Sequence, residues 1–195
     1  MNAKTLIDAL TLWEATGSQI AQAAEETSQL LVKNGIPNLV AGGIAVQLHG
    51  YPRFTHDVDL IVPDVEKAHE LLVSKGFRQS LKKLLCVLHP NKVEIDLLPA
   101  GRCLDQRCQV TFPEPRDLTA VFQPVTLEEL ISLKLDTWSR NPVRRSRDKA
   151  DVVELIVRNR LPRNLQVHPA MAAHYCQIWD DLAAEDQALG EPPES

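Results

Sequence analysis

Apolar positions along this chain change their period several times, and each change marks an element. Leu6, Leu10 and Trp13 recur at helical spacing and predict a helix over residues 4–15, stopped at Gly17. Ile20, Ala24, Leu30 and Leu31 form the stripe of a second helix over residues 18–33, and Asn34-Gly35-Ile36-Pro37 breaks it. Residues 38–41 predict a short apolar strand. Gly42-Gly43 turns the chain into a short helix over 44–48, followed by a loop over 51–56. Residues 57–62, β-branched and half alternating, predict a strand. Asp64 caps a helix that runs to Lys75 and ends at Gly76. Residues 84–88 and 92–98 predict a hairpin around His89-Pro90-Asn91. Prolines and Gly101 make 99–117 mostly loop, with a short strand near 109–112. From Thr126 the period is helical: Thr126 and Glu129 form a capping-box signature before 127–139, and 146–158 and 169–185 follow. Residues 189–195 predict a frayed tail.

These elements predict an α/β (α+β) protein with a mixed sheet. The organisation expected is N-terminal helices over 1–35, a core over 36–125, a helical region over 126–188 and a flexible tail over 189–195. Trp13, Trp138 and Trp179 fall at apolar helical positions and are expected in the core.

Composition narrows the class. The chain has 195 residues, 44% hydrophobic and 24% charged, which excludes global disorder. A net charge of −5 argues against a surface coated in basic residues for nucleic acid, yet leaves room for a local patch. Five basic residues, Arg140, Arg144, Arg145, Arg147 and Lys149, crowd into one short stretch; they suit either a polyanion or a solvated charged face. Cys86, Cys103, Cys108 and Cys176 form no CxxC pair, and Cys103 and Cys108 are poorly spaced for zinc. With no leader pattern and no apolar run of spanning length, the expectation is a reduced, cytoplasmic protein without a membrane partner.

Candidate chemistry concentrates in residues 41–62. Asp57 and Asp59 sit two apart on a strand and therefore share a face. Paired carboxylates repel, and a hard divalent cation such as Mg²⁺ relieves that repulsion, although an isolated D-x-D also suits an acidic strand edge. In 92–98 the alternation puts Val93, Ile95 and Leu97 on one face and Glu94, Asp96 and Leu98 on the other. Asp96 would complete a three-acid, two-metal site if the strands are neighbours. Gly42 and Gly43 let the backbone approach an anion closely, or simply make a tight turn. Arg53 suits phosphate neutralisation, and Thr55 suits a hydrogen bond or a loop-filling role. His56 adjoins Asp57 but should point to the opposite side, so a His/Asp metal site is not expected.

The combination of Gly42-Gly43, a short helix, His49-Gly50 and Arg53-x-Thr55-x-Asp57-x-Asp59, followed by a later strand acid, resembles the nucleotidyltransferase superfamily that includes DNA polymerase β. It is most similar to the bacterial abortive-infection (AbiEii-like) toxin nucleotidyltransferases. The likeness covers about residues 38–98, and a helix with Lys134 followed by Arg147-Asp148-x-x-Asp151 is similar too. The resemblance implies a polymerase β-like core and transfer of a nucleoside monophosphate from an NTP to an acceptor hydroxyl. It implies two Mg²⁺ ions, with Mn²⁺ an alternative, held by Asp57, Asp59 and Asp96. Gly42, Gly43, Arg53, Thr55 and Lys134 would contact the nucleotide, such as ATP, with Asp148 or Asp151 nearby. A tRNA or protein acceptor and an antitoxin partner would follow from the toxin likeness. A small-molecule (antibiotic) nucleotidyltransferase and a non-catalytic NTP- or partner-binding module are the alternatives, because fold likeness does not fix substrate.

Overall fold

The computed structural model describes residues 18–80 and 85–189. The helix expected over 4–15 and all of the expected tail beyond Leu189 lie outside the described residues. Within them the order is α1 (Ser18–Lys33), β1 (Leu39–Ala41), α2 (Gly42–Leu48), β2 (Asp57–Val62), α3 (Val65–Ser74), β3 (Arg78–Gln79), β4 (Cys86–Leu88) and β5 (Glu94–Pro99). Then come α4 (Leu127–Arg140), α5 (Ser146–Asn159), a 3₁₀ turn Pro169–Met171 and α6 (Ala172–Leu189). The strands form one mixed sheet in the order β1-β2-β5-β4-β3. Only β2 and β5 are parallel; the other pairs are antiparallel. The expected α/β class with a mixed sheet is the one observed.

Strand alternation divides the sheet into two buried faces. Val58, Leu60, Val62, Ile95 and Leu97 pack under Ala23, Ala24 and Leu31 of α1 and Ala68 and Leu72 of α3. On the other face Leu39, Ala41 and Ile61 meet Ala45 and Val46 of α2. They also meet Leu130, Ile131 and Leu135 of α4, Val152, Leu155 and Ile156 of α5, and Tyr175 and Ile178 of α6. The second face is apolar only toward the C-terminal ends of β2 and β5. Toward their N-terminal ends it carries the acids.

Several local expectations are corrected. No strand forms over 109–112: Gly101 N donates to Phe112 O (2.8 Å) and Phe112 N to Arg102 O (3.0 Å), and Pro113 and Pro115 cannot donate to extend that rung. β3 is two exposed residues with no apolar signature, held as a strand by pairing with Val87 and Leu88. Helix α2 starts at Gly42 itself, two residues before the expected start. The last helix is preceded by the Pro169–Met171 turn. Cys103 and Cys108 are joined as a disulfide, with Cα atoms 6.1 Å apart, which overturns the expectation of a fully reduced set. The turn through Leu104–Arg107 brings them together, a proximity that spacing alone does not reveal. Trp138 and Trp179 are half-buried against the second cluster, and Trp179 Nε1 donates to Leu161 O (3.0 Å). Among the described residues no helix is long and apolar enough to cross a membrane.

Candidate active site

The parallel pairing of β2 and β5 sets the geometry. Its register puts Asp57 opposite Glu94 and Asp59 opposite Asp96. Because the period of a strand is two, Asp57, Asp59, Glu94 and Asp96 share one face, and all are only partly buried. Asp96 therefore joins the face of the D-x-D pair, and directly opposed side chains on adjacent strands are separated by ~5 Å at Cβ. Thr55, itself buried, donates its hydroxyl to Asp57 Oδ1 (3.1 Å), which fixes one carboxylate from the loop that precedes β2.

The two glycines are required by what lies against them. A Cβ at Gly42 would fall inside the carboxylate of Asp59, and Gly42 has φ +58, a left-handed conformation. A Cβ at Gly43 would overlap the Thr55 hydroxyl and touch Arg53 Nη1 at 3.3 Å. The start of α2 is thus pressed onto the acids on one side and onto the Arg53–Thr55 loop on the other. The Gln47 amide donates to Arg53 O and ties that loop back to α2.

Arg53, Lys134, Asp148 and Asp151 form a buried charge network. Arg53 Nη2 donates to Asp151 Oδ2 (2.8 Å). Its Nε lies 2.6 Å from Oδ1 without hydrogen-bond alignment, so that second contact is Coulombic. Lys134 Nζ is 2.7 Å from both Asp148 Oδ1 and Asp151 Oδ2, which commits two of its three donors. Asp151 is 1% exposed and Lys134 9%. Asp148 and Asp151 are therefore not part of a solvated helix face; they neutralise two cations and bind α4 and α5 to the motif loop.

A cleft of about 440 Å³ runs between Asp59, at the edge of the acid face, and the helices. Gly42 and Asp59 line one side; Lys134, Asp148, Arg145 and Arg140 line the other. The disulfide-closed turn supplies an end wall with Asp105, Arg107 and Cys108. This wall was not singled out from the sequence. Asp136, buried, accepts from Gln109 N (2.9 Å) and pairs with Arg140 (3.1 Å), which also reaches Asp105 (3.3 Å). The i,i+4 spacing of Asp136 and Arg140 was readable as a helix pair. Asp105 was not, because its partners come from a distant helix and its own turn. The hydrogen bonds from Arg107 hold the Asp105 carboxyl down at about 2.

Among the described residues no three His, Cys, Asp or Glu side chains are gathered as a ready-made ligand group. Mg²⁺ does not require one: it is commonly held by one or two carboxylates completed by substrate phosphates and water. Three hard oxygen donors on one partly exposed face fit that mode.

No protein-family model matches the chain, and no curated protein matches it. Among solved structures, an antigenic nucleotidyltransferase-like protein from Paracoccidioides brasiliensis aligns over 90% of this chain and 92% of its own, at 18% identity and a TM-score of 0.54. The antibiotic-resistance factor ANT(2″)-Ia aligns in its solution structure over 87% of this chain and 95% of its own, at 14% identity and TM-score 0.46. Its crystal structure in complex with adenylyl-2″-tobramycin aligns over 88% and 94%, at 14% identity and TM-score 0.45. The first of these alignments shows a nucleotidyltransferase-like fold. At such identity the likeness extends to the fold alone, and the chemistry rests on the site.

Proposed function

We propose that this chain is a divalent-metal-dependent nucleotidyltransferase that moves a nucleoside monophosphate from an NTP to an acceptor hydroxyl. The observation that carries this is the register of Asp59 opposite Asp96, with Gly42 packed onto the Asp59 carboxylate at the mouth of a cleft whose far wall carries Arg107, Lys134, Arg140 and Arg145 beside Asp105, Asp136 and Asp148. Asp57, Asp59 and Asp96 would hold Mg²⁺ or Mn²⁺, which when bound neutralises phosphate charge and lowers the pKa of a coordinated hydroxyl. Asp96 would take the proton of the acceptor hydroxyl. That oxygen bonds to the α-phosphorus as the bond to the β-phosphate oxygen breaks, and pyrophosphate leaves. The start of α2 at Gly42 and Gly43 would meet the triphosphate, Arg145 and the third donor of Lys134 would contact it from the opposite wall, and Arg53 and Thr55 hold the loop that orients Asp57. Catalysis by such a site is positioning and charge stabilisation.

The motif combination supports an acceptor of the AbiEii-like toxin class, a tRNA or a protein, and with it an antitoxin partner. The test is incubation with Mg²⁺ and each of the four NTPs, labelled at the α- or γ-phosphate, with total tRNA, cell protein or no acceptor. α-Label is expected on one acceptor class, only with divalent metal, while γ-label stays behind. Transfer of γ-label would show a kinase-like reaction and end the proposal. Nucleotide binding with no transfer to any acceptor would favour a non-catalytic module.

A further inference from the structure

Beyond the acid face, helix α5 and the loop before β2 build a surface of alternating guanidinium and aromatic groups. At 3.6 residues per turn, positions 147, 151 and 158 lie on one face of α5, and contacts place that face along residues 49–54. Arg147 Nη2 donates to Phe54 O (3.3 Å), Asp151 holds Arg53, Arg158 lies 5.1 Å over the Tyr51 ring, and Asn159 Nδ2 donates to His49 O (3.0 Å). The backbone carbonyl of Phe54 is also bound by Arg53 Nη1 (2.9 Å), so the loop is pinned while its ring is left 47% exposed. The exposed His56 ring stands edge-on to it at 4.5 Å between centroids. The next residue along the chain is Asp57, which shares the acid face with Asp59 and accepts from the Thr55 hydroxyl.

Charge decides what this surface fits. The chain carries a net charge of −5, yet Arg144 and Arg147 are exposed and have no carboxylate partner among the described residues. The carboxylates on this part of α5 are used elsewhere: Asp148 and Asp151 by Lys134 and Arg53, and Glu154 by Arg158 at 2.9 Å. From Arg147 to Arg158 the helix rises ~16 Å. The Phe54–His56 ring pair, with Arg147 bonded to the Phe54 carbonyl and Arg144 three residues before it in the turn that opens α5, offers stacking to bases and charge to phosphates, the two contacts that single-stranded nucleic acids use together. A folded duplex keeps its bases stacked internally, and an acidic peptide has no use for the rings.

We infer that the Phe54–His56 pair with Arg144 and Arg147 is the docking surface for a single-stranded nucleic-acid acceptor, and that it delivers the strand's end to the Asp57–Asp59 face. This rests on the transferase reading for the delivery, but the docking is measurable without it. The probe is a fluorescently labelled single-stranded RNA of roughly 12 nucleotides, titrated with the full chain in EDTA and without nucleotide, at several salt concentrations. Salt-sensitive binding stronger than to a duplex of the same length is expected. Phe54→Ala should weaken it about tenfold with the salt slope unchanged, and Phe54→Trp should restore it. Arg144→Glu with Arg147→Glu should weaken binding and flatten the log–log slope by roughly 1.4, at ~0.7 per lost phosphate contact. Absence of single-strand binding overturns the inference, as does indifference to either variant or equal competition by polyglutamate. If these bindings behave as expected but no RNA is labelled in the transfer assay, the acceptor reading fails and the surface stands. If RNA is labelled equally well by both variants, the surface fails and the transferase reading stands.

Discussion

Gly42 is constrained twice, by its backbone and by its neighbour. Its φ of +58 costs an L-residue about 1–2 kcal/mol, and a Cβ there would overlap the Asp59 carboxylate. Gly42→Ala is therefore expected to lower stability by at least that amount in urea denaturation and to abolish transfer by displacing Asp59. A Gly42→Ala protein with wild-type turnover would remove this glycine from the site. The charge network makes a second, graded expectation. Asp151 partners both Arg53 and Lys134, so Asp151→Ala strips the buried Arg53 of this carboxylate, leaves Lys134 with Asp148 alone and should cost about 3–5 kcal/mol. Asp148→Ala leaves Lys134 still paired with Asp151 and should cost clearly less. Equal losses from the two variants, measured as denaturation midpoints with unchanged slopes, would mean that Asp151 is not the keystone of the network.

At the scale of elements, those whose period and end signals coincide were legible. The capping box was read from Thr126 and Glu129, and both of its bonds are present: Glu129 N donates to Thr126 Oγ1 (3.2 Å) and Thr126 N to Glu129 Oε2 (2.9 Å). Asp64 caps α3 through Lys67 N as its position implied. Elements owed to distant partners were not legible. β3 exists only through β4, residues 109–112 gain one rung from Gly101 and Arg102, and the Cys103–Cys108 link depends on a turn. Helix α6 is also fixed from afar, through Tyr175, which is 1% exposed and donates its hydroxyl to Pro162 O (2.9 Å). Burial, with a smaller contribution from the neighbouring Cys176, pushes this phenol up to about 12. Its unfolded value is about 10, so between the two the folded state binds the extra proton. The stability tied to the neutral phenol is complete below pH ~10 and is lost as pH rises toward 12. Tyr175→Phe should cost about 1 kcal/mol at neutral pH for the lost hydrogen bond, yet flatten the fall in helical circular dichroism stability above pH ~10. Parallel alkaline loss in both proteins would show that another group titrates.

At the scale of the molecule, two hydrophobic clusters share one sheet, and the site lies where the second gives way to acids. The sequence motif located Asp57, Asp59, Gly42 and Gly43 because they are local, and strand alternation put Asp96 on a compatible face. That Asp96 stands opposite Asp59 follows from a parallel pairing across a crossover, which alternation cannot specify. The pairing of Arg53 and Lys134 through Asp151 was likewise hidden, since it joins a loop and two helices distant in sequence. On the proposed reading a bound nucleotide would bridge both halves: Gly42 and Asp59 belong to the sheet side of the cleft, and Lys134, Arg140 and Arg145 to the helical side. A ligand that binds only the folded state stabilises it by about 2.7 kcal/mol at 100 times its Kd. For a chain of this size that corresponds to a rise in melting temperature of about 5–10 °C. Mg²⁺ with a preferred NTP should produce such a rise in the absence of any acceptor, and EDTA should remove most of it, because the triphosphate then faces the carboxylates unscreened. Asp59→Asn and Asp96→Asn should each lose the metal-dependent part while keeping the cooperative unfolding transition. A full thermal shift in EDTA, or in both variants, would place nucleotide binding away from the β2–β5 acids and dissolve the link between this cleft and the proposed chemistry.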